Sequence, residues 1–195
     1  MIDKVKIESV AIEAYSKHCK KGSPAKMLPK ILAAENVKLR EIDGYEKFLG
    51  AFLKQPNGQP YIFVNKNIDN VGRKNSTLAH ELGHFILQHY LHTASFFCVE
   101  NDIKEDGEVI SEQEKEANYF ASCFLLPRDR VFRKVSEWYK FRISPIGQVF
   151  MHFEPHGKSF SNWKAISSNL MKNFIVSEVA VKIRLTELGL AKFDF

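Results

Sequence analysis

Between Asn75 and Tyr90 the chain reads NSTLAHELGHFILQHY. This stretch sets two imidazoles, His80 and His84, four residues apart and puts a carboxylate, Glu81, next to the first. On an α-helix, residues four apart lie on one face, so both rings can address a single metal ion. Glu81 sits a step to the side, where it reaches a water on that metal rather than the metal itself. The arrangement is HExxH: two ligands for zinc and a general base. Zinc in such a site brings the pKa of its water toward ~7. The glutamate can take the proton and deliver it to a leaving amine. The chemistry implied is hydrolysis of an amide bond.

HExxH also arises by chance on ordinary helices. Here Leu78, Leu82, Phe85, Ile86 and Leu87 crowd the same segment, so the helix is expected to be mostly buried. Two imidazoles and a carboxylate in such company are costly unless something satisfies them. Gly83 costs the helix about 1 kcal/mol relative to alanine. Close approach by a second backbone is the expected compensation.

A catalytic zinc usually takes three protein ligands and keeps one position open. One class of HExxH protein draws its third ligand from HExxHxxGxxH. That pattern needs glycine where this chain has Leu87 and histidine where it has Tyr90, which excludes it. His89 follows too closely on the same helix and reads as a polar residue at a helix end. The other class takes a glutamate from a later helix, and SEQEKEANYFASCFLLP offers candidates. Glu114 shares a helical face with Ala117, Asn118, Ala121 and Leu125. The alanines would let this helix close on Gly83. Asn118, one turn on, is placed to hydrogen-bond a ligand histidine. Glu116 shares its face with the bulkier Tyr119, Phe120 and Cys123. Ser111 and Glu114 also fit a capping box, in which case Glu114 caps the helix and Glu116 becomes the ligand. Glu114 is preferred, with Glu116 as the alternative.

These helices need a scaffold. Helical periodicity covers about Glu8–Cys19, and Pro29 suits the first turn of a short helix ending near Asn36. Val37–Ile42 alternates like a strand. Phe48–Leu53 and Tyr61–Asn65 flank a Pro-Asn-Gly turn and read as a β-hairpin. Asn75 or Ser76 is the candidate N-cap of the HExxH helix. The second helix spans Ser111–Leu126 and is stopped by Pro127. A strand is expected within Gln148–Phe153, then helices over Ser161–Asn173 and Ser177–Leu188 with Gly189 as C-cap. The expected organisation is a core over residues 1–127 and a C-terminal extension over 128–195 whose helical pair packs on that core.

With both helices placed, the sequence resembles the ImmA/IrrE family of bacterial and phage metallopeptidases. STLAHELGHFIL, EKEANYFASCFLLP and the preceding strand YIFVN carry the resemblance, which runs from about Pro29 to Leu126. FIVSEVAVKIRLTELGL resumes it near Phe174. The resemblance implies an α+β, zincin-like fold of the glutamate-zinc class, with a small mixed or antiparallel sheet packed on the HExxH helix and a C-terminal helical, helix-turn-helix-like segment. It implies Zn2+ at His80, His84 and the glutamate aligned with Glu114, with Glu81 as base. It also implies a protein substrate, a helix-turn-helix repressor of a phage, mobile element or stress response.

The composition accommodates this reading. The chain has 195 residues, 45% hydrophobic and 26% charged, with a net charge of +5. That excess permits contact with nucleic acid but does not require it. Three widely spaced cysteines, Cys19, Cys98 and Cys123, indicate neither a disulfide framework nor a Cys-x-x-Cys site. Neither a leader nor a membrane span is evident, so a cytoplasmic setting is expected. Cys98 reads as a buried structural cysteine rather than a thiol on the metal.

His152 and His156 are again four apart, but Pro155 and Gly157 break the helix that would align them. The basic run Arg128–Arg142 reads as a solvated face. The closing helices carry Lys164, Lys172, Lys182 and Arg184, yet Trp163, Ile166, Leu170, Ile183 and Leu188 favour packing over DNA reading. The acidic stretch Glu100–Glu116 could attract a basic substrate. A peptide is expected to add as a strand to an exposed sheet edge, for which the hairpin is one candidate. The competing readings are a DNA-associated regulator, or a toxin/antitoxin-type interaction protein, with a structural or vestigial zinc.

Overall fold

A computed structural model describes residues 2–18, 22–45, 47–91, 95–99, 111–142 and 151–195, with backbone alone at 95–99 and 139–142. The acidic stretch up to residue 110 and the start of the strand expected at Gln148 therefore lie outside the described residues, as do the side chains of Cys19 and Cys98.

The element order is α1 (Lys4–His18), α2 (Pro24–Ala34), β1 (Lys38–Ile42), β2 (Phe48–Lys54), β3 (Pro60–Asn65), α3 (Val71–Ile86), a 3-10 turn (His89–Leu91), β4 (Ser95–Val99), α4 (Glu112–Leu125), α5 (Arg128–Arg142), β5 (Met151–Phe153), α6 (Gly157–Phe174), α7 (Glu178–Glu187) and β6 (Ala191–Phe193). The fold is α+β and zincin-like, with α3 as its central helix.

The first sheet is mixed, in the order β1-β3-β2-β4. β1 runs parallel to β3, and β2 runs antiparallel to both β3 and β4. The β2–β3 hairpin expected from the turn signal forms, and Gly58 takes a positive φ of 84° in its loop. Both hairpin strands are interior, however. The edges among the described strands are β1 and β4. Phe48, Leu49, Ala51 and Phe52 of β2 are all buried rather than alternating.

α3 lies between this sheet and α4. Its buried residues run from Thr77 through His84 without interruption, so the helix is enclosed on nearly every side. It starts earlier than expected: Asn70 is the N-cap, and its side chain accepts from the Arg73 amide at 2.9 Å. Asn75 and Ser76 lie within the helix instead. Ser76 donates back to the Gly72 carbonyl, and Asn75 donates across to the Ile175 carbonyl at 2.8 Å. α2 likewise begins at Pro24, which occupies the first-turn position expected of Pro29, and Pro29 sits inside the helix.

The C-terminal segment docks on the start of α3. A Cβ on Gly72 would stand 2.3 Å from the Val176 carbonyl carbon, so only glycine lets the α6–α7 turn come this close. That turn contains Ile175 at a left-handed φ of 58°. α7 is fixed to the core by Arg184, which is 1% exposed. Its guanidinium donates to the Leu126 carbonyl at 3.0 Å and to Glu8 of α1 at 2.7 Å, and it pairs with Glu187 at 3.5 Å. Arg184 is thus fully engaged inside the protein, and Glu178, in the first turn of α7, pairs with Lys164. β5 and β6 form a two-stranded parallel sheet beside α6, where Phe153 and Phe193 pack on Trp163. No helix among the described residues is long and apolar enough to cross a membrane.

Candidate metal centre

α3 presents His80 and His84 toward α4, and the two Nε2 atoms stand 3.0 Å apart. Both rings are buried, at 5% and 0% exposure, and Glu81 between them is 0% exposed. A Glu81 carboxylate oxygen and one nitrogen of each ring all lie within 4.8 Å of one another.

α4 supplies the other side. It can come close because α3 has no side chain at Gly83. A Cβ there would stand 3.1 Å from Phe120 Cδ1 and 3.2 and 3.3 Å from the Ala117 Cα and carbonyl oxygen. This is the backbone approach expected from the glycine. Glu114, one turn before Ala117, reaches His80 Nε2 with Oε2 at 3.1 Å and His84 Nε2 with Oε1 at 3.3 Å.

The capping-box alternative resolves in an instructive way. Ser111 does cap α4, its hydroxyl accepting from the Glu114 amide at 3.2 Å. Only the Glu114 backbone takes part; its carboxylate points at the histidines. Glu116 points elsewhere, to His89, with 3.0 Å between Oε2 and Nε2. Asn118 lies where one-turn spacing puts it, its Oδ1 accepting from His80 Nδ1 at 2.9 Å.

His89 does not behave as a polar residue at a helix end. It is 4% exposed, and its Nδ1 lies 2.9 Å from His84 Nδ1. α3 stops at Ile86, Gln88 turns left-handed at φ 59°, and the following 3-10 turn folds His89 back beneath His84. Gly50 of β2 is a second residue that sequence reasoning passes over. A Cβ there would stand 2.6 Å from Thr77 Cγ2 and 3.2 Å from Glu81 Oε1, so the glycine makes room for the Glu81 carboxylate beneath the sheet. His152 and His156 are not brought together: His152 lies in β5, bonded to Asp194 at 2.6 Å, and His156 precedes α6.

The ionisable groups of this cluster shift one another strongly. Burial works against protonation of His80, but Glu114 and Glu81 outweigh it, and Asn118 adds to them, so its pKa is raised. Burial dominates at His84 and takes its pKa down to about 4, with His80 and His89 adding to the effect and Glu114 opposing it. Burial also lowers His89, against the pull of Glu116. Glu114 is pushed upward by its burial, but its contacts with His80 and His84 win and hold it far below the usual carboxylate range.

The donor set fits a divalent ion. Ligand atoms about 2.0–2.2 Å from a tetrahedral zinc stand about 3.4 Å from one another. The spacings here, 3.0, 3.1 and 3.3 Å, are only slightly tighter. Glu114 Oε2 is buried with only the His80 ring nitrogen facing it, at 3.1 Å, and a carboxylate so enclosed is costly unless positive charge meets it. Two imidazoles and a carboxylate also suit zinc by ligand type.

Residues 33–186 match the peptidase family described as IrrE N-terminal-like domain. The chain belongs to this family. Its match includes α3 and α4 and extends through most of α7. It is therefore a metallopeptidase-family chain whose HExxH residues sit on one buried helix. A comparison with curated proteins finds no match.

Proposed function

We propose that this IrrE-like chain is a zinc-dependent endopeptidase, with His80, His84 and Glu114 as metal ligands and Glu81 as general base. The observation that carries this reading is the convergence of one carboxylate from α4 and two imidazoles from α3 within 3.0–3.3 Å, with Glu81 beside them. Bound zinc would acidify a water and polarise the scissile carbonyl. Glu81, with a carboxylate oxygen within 4.8 Å of a ring nitrogen of each histidine, would take a proton from that water and return it to the departing amine. Its burial under Gly50 holds the carboxylate in one place and keeps bulk water from competing. Asn118 fixes the His80 ring by accepting from Nδ1, which leaves Nε2 free to bind.

The substrate is proposed to be a DNA-binding repressor, or another regulatory protein of a phage, mobile element or stress response, which sets the activity in the cytoplasm. The resemblance of the motif stretches to the ImmA/IrrE peptidases supports this class. A substrate peptide would add as a strand at the β4 edge, since both hairpin strands are interior and β4 borders the β2 strand that covers Glu81. Incubating zinc-loaded protein with candidate helix-turn-helix repressors, followed by sequencing of new N-termini, tests the reading. Cleavage by the wild type and none by Glu81→Gln, with zinc retained, is the expected result. Equal cleavage by Glu81→Gln would refute the role of Glu81. A biological effect that survives Glu81→Gln would show that the protein acts by binding.

A further inference from the structure

The described residues hold a chain of polar contacts that the peptidase reading does not use, running inward from the half-buried Glu116: Glu116 Oε2 to His89 Nε2 at 3.0 Å, then His89 Nδ1 to His84 Nδ1 at 2.9 Å, buried. We propose that Glu116 and His89 form a proton-ordering relay that fixes the tautomer of His84 and so keeps its Nε2 available to the metal. The inference rests on the assignment of His80, His84 and Glu114 as the metal site and adds two positioning residues to it.

The argument follows from donor and acceptor roles. An ionised carboxylate accepts hydrogen bonds and cannot donate them. Glu116 therefore requires the proton of His89 to sit on Nε2. A neutral imidazole carries one N–H, so His89 Nδ1 is left as an acceptor. Facing it at 2.9 Å, His84 Nδ1 must be the donor. The lone pair of His84 then lies on Nε2, the nitrogen that points at His80 Nε2 and Glu114. Which ring nitrogen binds a metal is set by the bond the other makes.

The same outcome is reached for His80 by a shorter route, through Asn118 Oδ1. The two ligands are thus oriented differently, one by an amide on α4 and the other by an imidazole held from α4 by a carboxylate. Glu114, Glu116 and Asn118 all lie on α4. That helix therefore supplies the third ligand, the outer partner of His80, and the carboxylate that holds His89 against His84. Burial makes the relay necessary. His84 is fully buried, so no solvent would replace a lost acceptor at Nδ1.

Three variants and one spectroscopic measurement test the relay on the full chain. His89→Phe keeps ring bulk but removes the acceptor. His89→Asn places a carbonyl oxygen near the former Nδ1. Glu116→Ala frees His89 to adopt either tautomer. Zinc dissociation constants from chelator competition are expected to rise about 10–100-fold in His89→Phe. His89→Asn should restore much of the affinity, with Glu116→Ala falling between. Long-range 1H–15N correlation on the zinc-free wild type should show His84 protonated at Nδ1.

Zinc binding by His89→Phe equal to the wild type, or no recovery in His89→Asn, would overturn the relay. A His84 proton on Nε2 would do the same, even where a variant fails to fold. A wild-type chain that takes up no zinc would instead refute the metal site, and the spectroscopic result would still decide the tautomer.

Discussion

Gly83→Ala tests the packing on which the site depends. Alanine is the better helix former by about 1 kcal/mol, so on an isolated helix this change would stabilise. Here the new methyl would stand 3.1–3.3 Å from Phe120 Cδ1 and from the Cα and carbonyl oxygen of Ala117. Two of those three atoms are backbone and cannot rotate away, so α4 must retreat by a few tenths of an ångström. Overpacking of this kind costs about 1–3 kcal/mol, leaving a net loss between about 0 and 2 kcal/mol. Glu114 lies one turn from Ala117 on the same face, so the retreat draws its carboxylate away from His80 and His84. Zinc affinity should fall about tenfold, the lower end of what loosened support costs such sites. Urea unfolding of the zinc-free protein and chelator competition on the holoprotein measure the two effects. A variant about 1 kcal/mol more stable than wild type, with unchanged zinc affinity, would refute the reasoning.

Other consequences can be checked independently. Gly50→Ala should lower turnover while leaving zinc affinity within a few-fold of wild type, because the added carbon meets Thr77 and Glu81 rather than a ligand; a large loss of zinc would show that the sheet supports the ligands themselves. Arg184→Met should cost about 3–5 kcal/mol in chemical unfolding, since Glu8 and Glu187 lose a buried partner. Burial pushes the Glu8 pKa up, but Arg184 and Arg128 outweigh it and hold it below its usual 4.5. The stability from that pairing is present above pH 4.5 and lost as the pH falls through the lowered value, so Arg184→Met should flatten the acid side of the stability profile. Burial pushes the Cys123 thiol up to about 11, so native protein treated with a thiol alkylator at pH 8 should show no label on Cys123 by peptide mapping.

The parts of the site legible in the sequence were those governed by one helix at a time. Spacing put His80 and His84 on one helical face with Glu81 a step to the side, the apolar neighbours pointed to burial, and the small residues opposite Gly83 favoured Glu114 over Glu116. Asn118 followed from the same one-turn rule. What escaped was set by chain reversals and long-range pairing. His89 reads as a helix-end residue until Gln88 turns left-handed and returns the chain beneath His84. Glu116 then acquires a partner on another element, a role that no local pattern encodes. The hairpin was visible in its turn residues, but its interior position depends on β1 pairing with β3 and β4 with β2 across long stretches of chain. Gly50 and Gly72 looked unremarkable because their neighbours, Glu81 and the Val176–Ser177 backbone, come from distant segments. The early start of α3 at Asn70 was hidden because several polar residues before Leu78 could each have served as the cap.

Zinc titration of the purified chain against a calibrated chelator, with His80→Ala, His84→Ala and Glu114→Ala measured alongside, tests the central claim most directly. The wild type should bind one equivalent of zinc, and each substitution should abolish or greatly weaken that binding while the zinc-free proteins keep the wild-type circular dichroism spectrum. A wild-type chain that binds no zinc, or a Glu114→Ala chain that binds it as tightly as wild type, would contradict the account.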